Sequence, residues 1–254
     1  NEWVDKPGIE EAVAERLSDI TIRYALEDCI DLPENIVRTV RTKLSTGVQT
    51  MYDLFVKESV LYTKSGTINA VHAGARVKKL LQLVSGGVYD EDGNVQYLHQ
   101  ERYDIVMQLV STRAHSLVAF NWKHERDALI QLAEKQNITY ELIDGSVPAH
   151  KRSAIVDRFQ AGQIQVLFCH PQSAGHGLTL TKATAAIWCS PTYNAEHFQQ
   201  FNKRIHRSGQ KEKTETILIA AHKTWEEDVY TKLNTKLGKM ENLLHILTEL
   251  NHAR

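Results

Sequence analysis

From residue 116 onward, short apolar runs alternate with longer stretches of helical spacing. Ser116 to Phe120 (SLVAF) precedes a helical stretch from Lys123 to Gln136, and Thr139 to Ile143 precedes a helix from Pro148 to Gln160. Pro148 suits a first helical turn, with Ser146 as its N-cap. Next come a strand from Gln165 to Cys169, a turn with Gly175 and Gly177, and a strand from Ala185 to Cys189. A helix from Ala195 to His206, a strand from Thr214 to Ala220 and a long amphipathic helix from about Thr224 to Leu250 complete the pattern. Continuous apolar or β-branched strands separated by helices predict a parallel sheet covered on both faces.

The first 110 residues are less regular and mostly helical in spacing, over Glu10–Leu17, Val48–Tyr62, Ala73–Leu83 and Glu101–Leu109. Gly86 and Gly87 form a helix stop, and VYDEDGNVQYL reads as a hairpin around Asp92-Gly93, near residues 88–98. The expected organisation is a mainly α-helical elaboration over residues 1–110 and an α/β core over 111–254.

Composition narrows the function less than the pattern does. Apolar residues make up 42% and charged residues 24%, as in ordinary soluble domains. The formal net charge of -1 excludes a histone-like binder but leaves room for a local basic groove. Cys29, Cys169 and Cys189 are odd in number and widely spaced, which excludes a disulfide scaffold and a C-x-x-C metal pair and fits a reducing compartment. No apolar run approaches the roughly 18 residues of a membrane span, and no signal-peptide pattern opens the chain. The opening at Asn1 reads as mid-sequence, so a piece of a longer protein is expected.

The chemistry concentrates after Tyr140. A D-G-S turn (Asp144 to Ser146), a Gly-rich turn (SAGHGLTL) and an arginine-bearing helix (QQFNKRIHRSGQ) follow in order. Arg204 and Arg207 are three apart, so on a helix they project from one face. Two permanently charged, planar donor forks aimed at one spot suit a polyphosphate. A bare R-x-x-R is more often a solvated helix end; Gln200 before the pair and SGQ after it set this one apart.

Gln200, Arg204, His206, Arg207, Gly209 and Gln210 match the Q-x-x-x-R-x-H-R-x-G-Q signature of Swi/Snf-like members of helicase superfamily two, and the chain resembles the C-terminal RecA-like lobe of such a DNA translocase. The resemblance implies a RecA-like parallel sheet and arginines, Arg204 and Arg207, that act on the γ-phosphate of ATP with Mg²⁺. Supplying such an arginine is worth roughly 10³ to 10⁵ in rate. SAGHGLTL resembles the family's A-G-G-x-G-L-N-L motif, which gives Gly175 and Gly177 cofactor roles, and the arginine signature gives one to Gln200. Ala174 stands where the pattern has Gly, and Thr179 where it has Asn; Thr179 keeps a hydroxyl for a DNA phosphate. Lys203, within the basic run that also holds Lys211 and Lys213, falls to DNA as well.

Asp144-Gly145-Ser146, with Arg152 and Phe159 after it, resembles a further family turn and helix. Ser146 there either donates to a DNA phosphate at a helix N-terminus or only caps that helix. AFNWKHE resembles the segment that begins this lobe in the family, placing Asn121, Trp122 and Lys123 at the carboxyl edge of a strand, where open α/β sheets bind ligands. Trp122 either packs or stacks on a base. Residues 20–45 resemble the linker between lobes, through the Leu32-Pro33 step, ahead of a helix with Gln49 and Tyr52. The match is close over 116–223, looser over 20–62 and weak around the Asp92 hairpin, which reads as an insertion or protrusion. The SAGHG form is similar to bacteriophage or bacterial members.

The other half of an ATPase is missing. No G-x-x-x-x-G-K-[ST] occurs, since Gly238-Lys239 is followed by Met240, and YDEDG lacks the apolar strand that would precede a Mg²⁺ carboxylate box. Arginines without a phosphate cradle do not hydrolyse ATP, so the resemblance implies a lobe that works with an N-terminal ATPase lobe of the same protein and with duplex DNA. A non-catalytic DNA- or protein-interaction module retaining the fold is the alternative, and an upstream phosphate loop in the full reading frame separates the two. A dinucleotide-binding dehydrogenase would need its Gly-rich turn after the first strand. His170 and His176 have no third ligand nearby in sequence and do not form a zinc site. Cytoplasm is the implied compartment, that of the host for a bacteriophage source, or the nucleus for a eukaryotic one.

Overall fold

The computed structural model describes residues 6–18, 20, 31–63, 66–69, 73–174 and 177–252. Cys29 lies outside them. The elements are α1 (Ile9–Leu17), β1 (Asn35–Thr42), α2 (Thr46–Glu58), β2 (Val60–Thr63), β3 (Gly66–Asn69), α3 (Ala73–Ser85), β4 (Gly87–Tyr89) and β5 (Val95–Tyr97). They continue with α4 (Glu101–Ser111), β6 (Ser116–Ala119), α5 (Lys123–Lys135), β7 (Tyr140–Ile143), α6 (Ala149–Gln160), β8 (Val166–Cys169), β9 (Ala185–Trp188), α7 (Ala195–Asn202), β10 (Thr214–Ala221) and α8 (Trp225–His252).

Six strands form one parallel sheet in the order β1-β10-β9-β6-β8-β7. All four residues of β6, β8 and β9 are buried, because successive side chains feed opposite cores and both faces are covered. Leu117, Ala119 and Trp188 point into one core with Phe159 of α6 and Phe201 of α7. Val118, Phe168 and Ile187 point into the other, with Tyr103 and Met107 of α4 and Leu129 of α5. The architecture is the α/β parallel sheet that the pattern predicted, in the RecA-like form that the resemblance implied.

Two elements depart from the sequence reading. The stretch that resembles the inter-lobe linker contributes β1, an edge strand in register with β10 from Asn35–Thr214 to Thr42–Ala221. The sheet therefore extends into the first 110 residues. The helix expected over Val48–Tyr62 stops at Glu58, where Ser59 turns left-handed (φ 58) and its N–H caps Phe55 O. The chain then pairs β2 with β3. This N-terminal portion builds its own core from Tyr52, Phe55, Leu80, Leu83 and Val88, which reaches Ala221 at the end of β10. β4 and β5 pair antiparallel around a turn in which Asp90 Oδ1 accepts from Asn94 N at 2.8 Å and Gly93 is left-handed.

Candidate functional site

α7 is oriented by aromatic packing. Phe198 and Phe201 lie 4.8 and 5.1 Å from the Trp188 ring, and Asn202 Oδ1 accepts from Trp188 Nε1 at 2.9 Å. Asn194 caps the helix, its side chain accepting from His197 N at 2.9 Å. The sequence predicted helix through His206, but it ends at Asn202. Arg204 N and Ile205 N reach back only three residues, to Phe201 O and Asn202 O, a tightening that sends Ile205 fully into the core. Arg204 and Arg207 thus stand on a turn after the helix and not on a helix face.

They converge nonetheless. Arg204 Nη1 and Arg207 Nη1 lie 3.4 and 3.3 Å from the same acceptor, Leu178 O, in the Gly-rich turn. Leu180 N donates to Arg204 O at 2.9 Å, so the two motifs are fastened backbone to backbone. Burial, reinforced by the Arg207 charge, lowers the Arg204 pKa from its ordinary value. Gln200, Lys203, Arg204, His206, Arg207 and Ser208 line a cleft of about 320 Å³ there. Such a site favours an anion with several acceptor oxygens.

Neighbouring side chains lock the turn. Gln210 Nε2 reaches the carbonyls of Thr181, Ala183 and Ile205 at 3.0 to 3.2 Å, and its Oε1 accepts from Lys211 N and Glu212 N, both at 2.9 Å. His206 Nε2 donates to Pro33 O at 2.8 Å, tying the turn to the start of β1. Gln200 donates to Glu196 at 2.8 Å. Gly177 is exposed and left-handed (φ 66), a conformation that suits glycine, and Thr179 is half-buried beside Leu178. Gly175 and His176 lie outside the described residues.

The remaining sequence-predicted residues sit elsewhere on the lobe. Ser146 does not cap α6, whose N-cap is Pro148; its hydroxyl and N–H both donate to Asp144 Oδ1, at 2.6 and 2.9 Å. Arg152 clamps that turn, donating to Val147 O, Asp144 O and Ser173 O. Asn121 bridges strand ends, its side chain donating to Ser190 O at 2.9 Å and Pro191 O at 3.3 Å. With Trp122 it lines a separate groove of about 620 Å³, which Val77, Leu81 and Tyr193 also line. Lys123 and Lys203 are exposed. Among the described residues no group of three metal-capable side chains occurs, and no helix is long and apolar enough to cross a membrane.

Two buried charge sites were missed. Arg102 and Glu226 pair at 2.6 Å beneath the carboxyl ends of β9 and β10. Burial alone would pull the Arg102 pKa down, but Glu226 more than offsets it. The buried Glu125 accepts from Asn121 N and Trp122 N at 2.8 and 3.1 Å, and burial raises its pKa to about 7. Its place at the third position of α5 was the available signal; for Arg102 there was none.

Parallel strands, helices on both faces and a basic turn fastened to a Gly-rich turn define a helicase-type lobe, and comparison with known proteins agrees. Residues 101–209 match the helicase conserved C-terminal domain. The chain is 28% identical over 240 residues to putative protein p41 of Acyrthosiphon pisum secondary endosymbiont phage 1, covering 91% of this chain and 50% of that protein. It is 25% identical over 230 residues to nuclear protein STH1/NPS1 of Saccharomyces cerevisiae, covering 82% of this chain and 17% of that protein. In fold it matches the crystal structure of the C-terminal part of the Fun30 ATPase domain, with TM-score 0.60 and 16% identity over 87% of this chain and 99% of that one. The chain is therefore similar to helicase C-terminal domains over residues 101–209 and, at 33% identity over 96 residues, to a SWI/SNF-related protein of Caenorhabditis elegans, covering 37% of this chain and 14% of that one. It spans half the length of its phage relative.

Proposed function

We propose that this lobe is the second motor half of an ATP-dependent duplex-DNA translocase. The observation that carries the reading is the convergence of Arg204 and Arg207 on Leu178 O, 3.4 and 3.3 Å away. A carbonyl is a weak partner for two guanidiniums, and phosphate oxygens are stronger acceptors for both. In this reading Arg204 and Arg207 neutralise charge on the γ-phosphate of ATP, Gln200 lines the cleft beside them, and Gly175 and Gly177 keep the cofactor roles that the resemblance implies. Mg²⁺ and the phosphate cradle belong to an N-terminal lobe of the same protein. This chain alone is inactive, because arginines neutralise charge without positioning the attacking water.

Asn121, Lys123, Ser146, Thr179 and Lys203 form the DNA-facing set, reading phosphates rather than bases. The exposed Lys123 and Lys203 supply charge, while Ser146, held by Asp144, retains acceptor capacity and reorients to donate. Duplex binding by the chain is then weak and falls steeply with salt. Removing one phosphate-contacting lysine reduces the slope of log K against log[salt] by about one. Lys123→Ala and Lys203→Ala are each expected to do so in an anisotropy titration, equally on unrelated duplex sequences. Unchanged slopes, or sequence-selective binding that persists in high salt, contradict the reading.

A further inference from the structure

The β4–β5 hairpin has no part in the function so far, yet it is joined to the lobe at a specific point, the first turn of α5. Tyr89, the last residue of β4, places its hydroxyl 3.1 Å from His124 N and 3.0 Å from His124 Nδ1. On the other side of the ring, Nε2 lies 2.8 Å from Ser85 Oγ. The proton positions follow by counting. Ser85 Oγ uses its hydrogen on Gln82 O at 3.0 Å, so it accepts from His124 Nε2–H. Nδ1 is then an acceptor, filled by the Tyr89 hydroxyl, whose oxygen accepts in turn from His124 N–H. Every hydrogen in this buried chain has one destination, and His124 is neutral. Its burial, with the charges of His99 and Arg102 nearby, lowers its pKa to about 3.

The fit is close enough to need glycine. A Cβ at Gly86, which is left-handed at φ 118, would meet Tyr103 Oη at 2.5 Å, and one at Gly87 would approach the His124 ring at 3.3 Å. Trp122 runs nearly parallel to the His124 imidazole, with planes 10° apart and centroids 6.4 Å apart, and lines the groove shared with Asn121 and Tyr193.

We propose that Tyr89 and His124 are positioning residues: the hairpin fixes the His124 ring, and the ring fixes Trp122 as a wall of the groove that receives nucleic acid. The inference rests on the reading of Asn121 to Lys123 as a DNA-facing edge. It makes the hairpin a brace for that edge, whose effect reaches DNA only through Trp122.

A mutant cycle tests this on the 254-residue chain, with duplex affinity read by anisotropy at low salt. Trp122→Ala is expected to weaken binding about tenfold, the equivalent of about 1.4 kcal/mol, by removing the wall that holds the edge from Asn121 to Lys123 in place. Tyr89→Phe, which keeps the ring and removes only the hydroxyl, is expected to weaken it by roughly half that factor on a logarithmic scale. Combining them is expected to be no worse than Trp122→Ala alone, because the hydroxyl acts through the indole. A general loss of structure would instead multiply the two effects. Running the cycle with His124→Asn in place of Tyr89→Phe guards against a folding defect in one variant. Unchanged affinity in Tyr89→Phe, or multiplied losses in the double variant, overturns the brace. If Lys123→Ala and Trp122→Ala both bind as wild type, the DNA-facing edge itself is refuted and the brace falls with it.

Discussion

Replacing Arg102 with methionine removes the cation from the most deeply buried ion pair described here. Arg102 is 3% exposed and Glu226 fully buried; Nη2 donates to Glu226 Oε2 and Nη1 to Cys189 O, both at 2.6 Å. Without the guanidinium, the Glu226 carboxylate keeps the Ala221 N–H at 2.8 Å, and the Cys189 carbonyl loses a charged donor. Breaking a buried pair by removing one partner costs about 3 to 5 kcal/mol, since an uncompensated charge remains. For a domain of this size that is a fall in Tm of roughly 6 to 20 °C. Thermal and urea unfolding of the chain measure it directly. The double variant Arg102→Met with Glu226→Leu removes both charges at similar volume and is expected to recover most of the loss. A single variant within about 1 kcal/mol of wild type, or a double variant no better than the single, refutes the claim that this pair fastens α4 to α8 under the sheet edge.

Glu125 predicts a pH dependence of definite sign. Burial raises its folded pKa from 4.5 to about 7. Below the unfolded pKa both states hold the proton and its contribution is fully present; as pH rises toward 7 the unfolded chain releases the proton while the fold retains it, and that stability is lost. The size is at most about 3 kcal/mol. Glu125→Gln carries no such titration, so wild type is expected to lose stability relative to it between about pH 5 and pH 8; parallel urea-unfolding profiles count against the assignment. Gln210→Leu strips the lock from the arginine turn, leaving three carbonyls and two N–H groups without its amide. A loss of about 2 to 4 kcal/mol is expected by chemical denaturation, and a value near zero shows that water replaces the amide.

The central strands were legible because burial on both faces leaves no room for polar alternation: SLVA, VLFC and AAIW are apolar but for Ser116. β1 was not, because an edge strand alternates, and Asn35, Arg38, Thr39 and Arg41 dilute its apolar signal. β2 was hidden by the apolar run continuing from α2, and only the left-handed Ser59 separates them. The arginine pair was legible as chemistry and misplaced as geometry. Its three-residue spacing suggested a helix, whereas convergence comes from a tightened turn and from Leu178 O, 26 and 29 residues away. Arg102 and Glu226 each resemble solvated helix charges, and only the packing of residues 124 apart brings them together.

The most direct test of the motor reading is DNA-stimulated ATP hydrolysis by the full-length protein, wild type against Arg207→Ala, with DNA binding followed in parallel. A fall of at least about two orders of magnitude in the DNA-stimulated rate, with DNA binding retained, is the predicted result. Equal hydrolysis by both proteins, or none by either, contradicts the account.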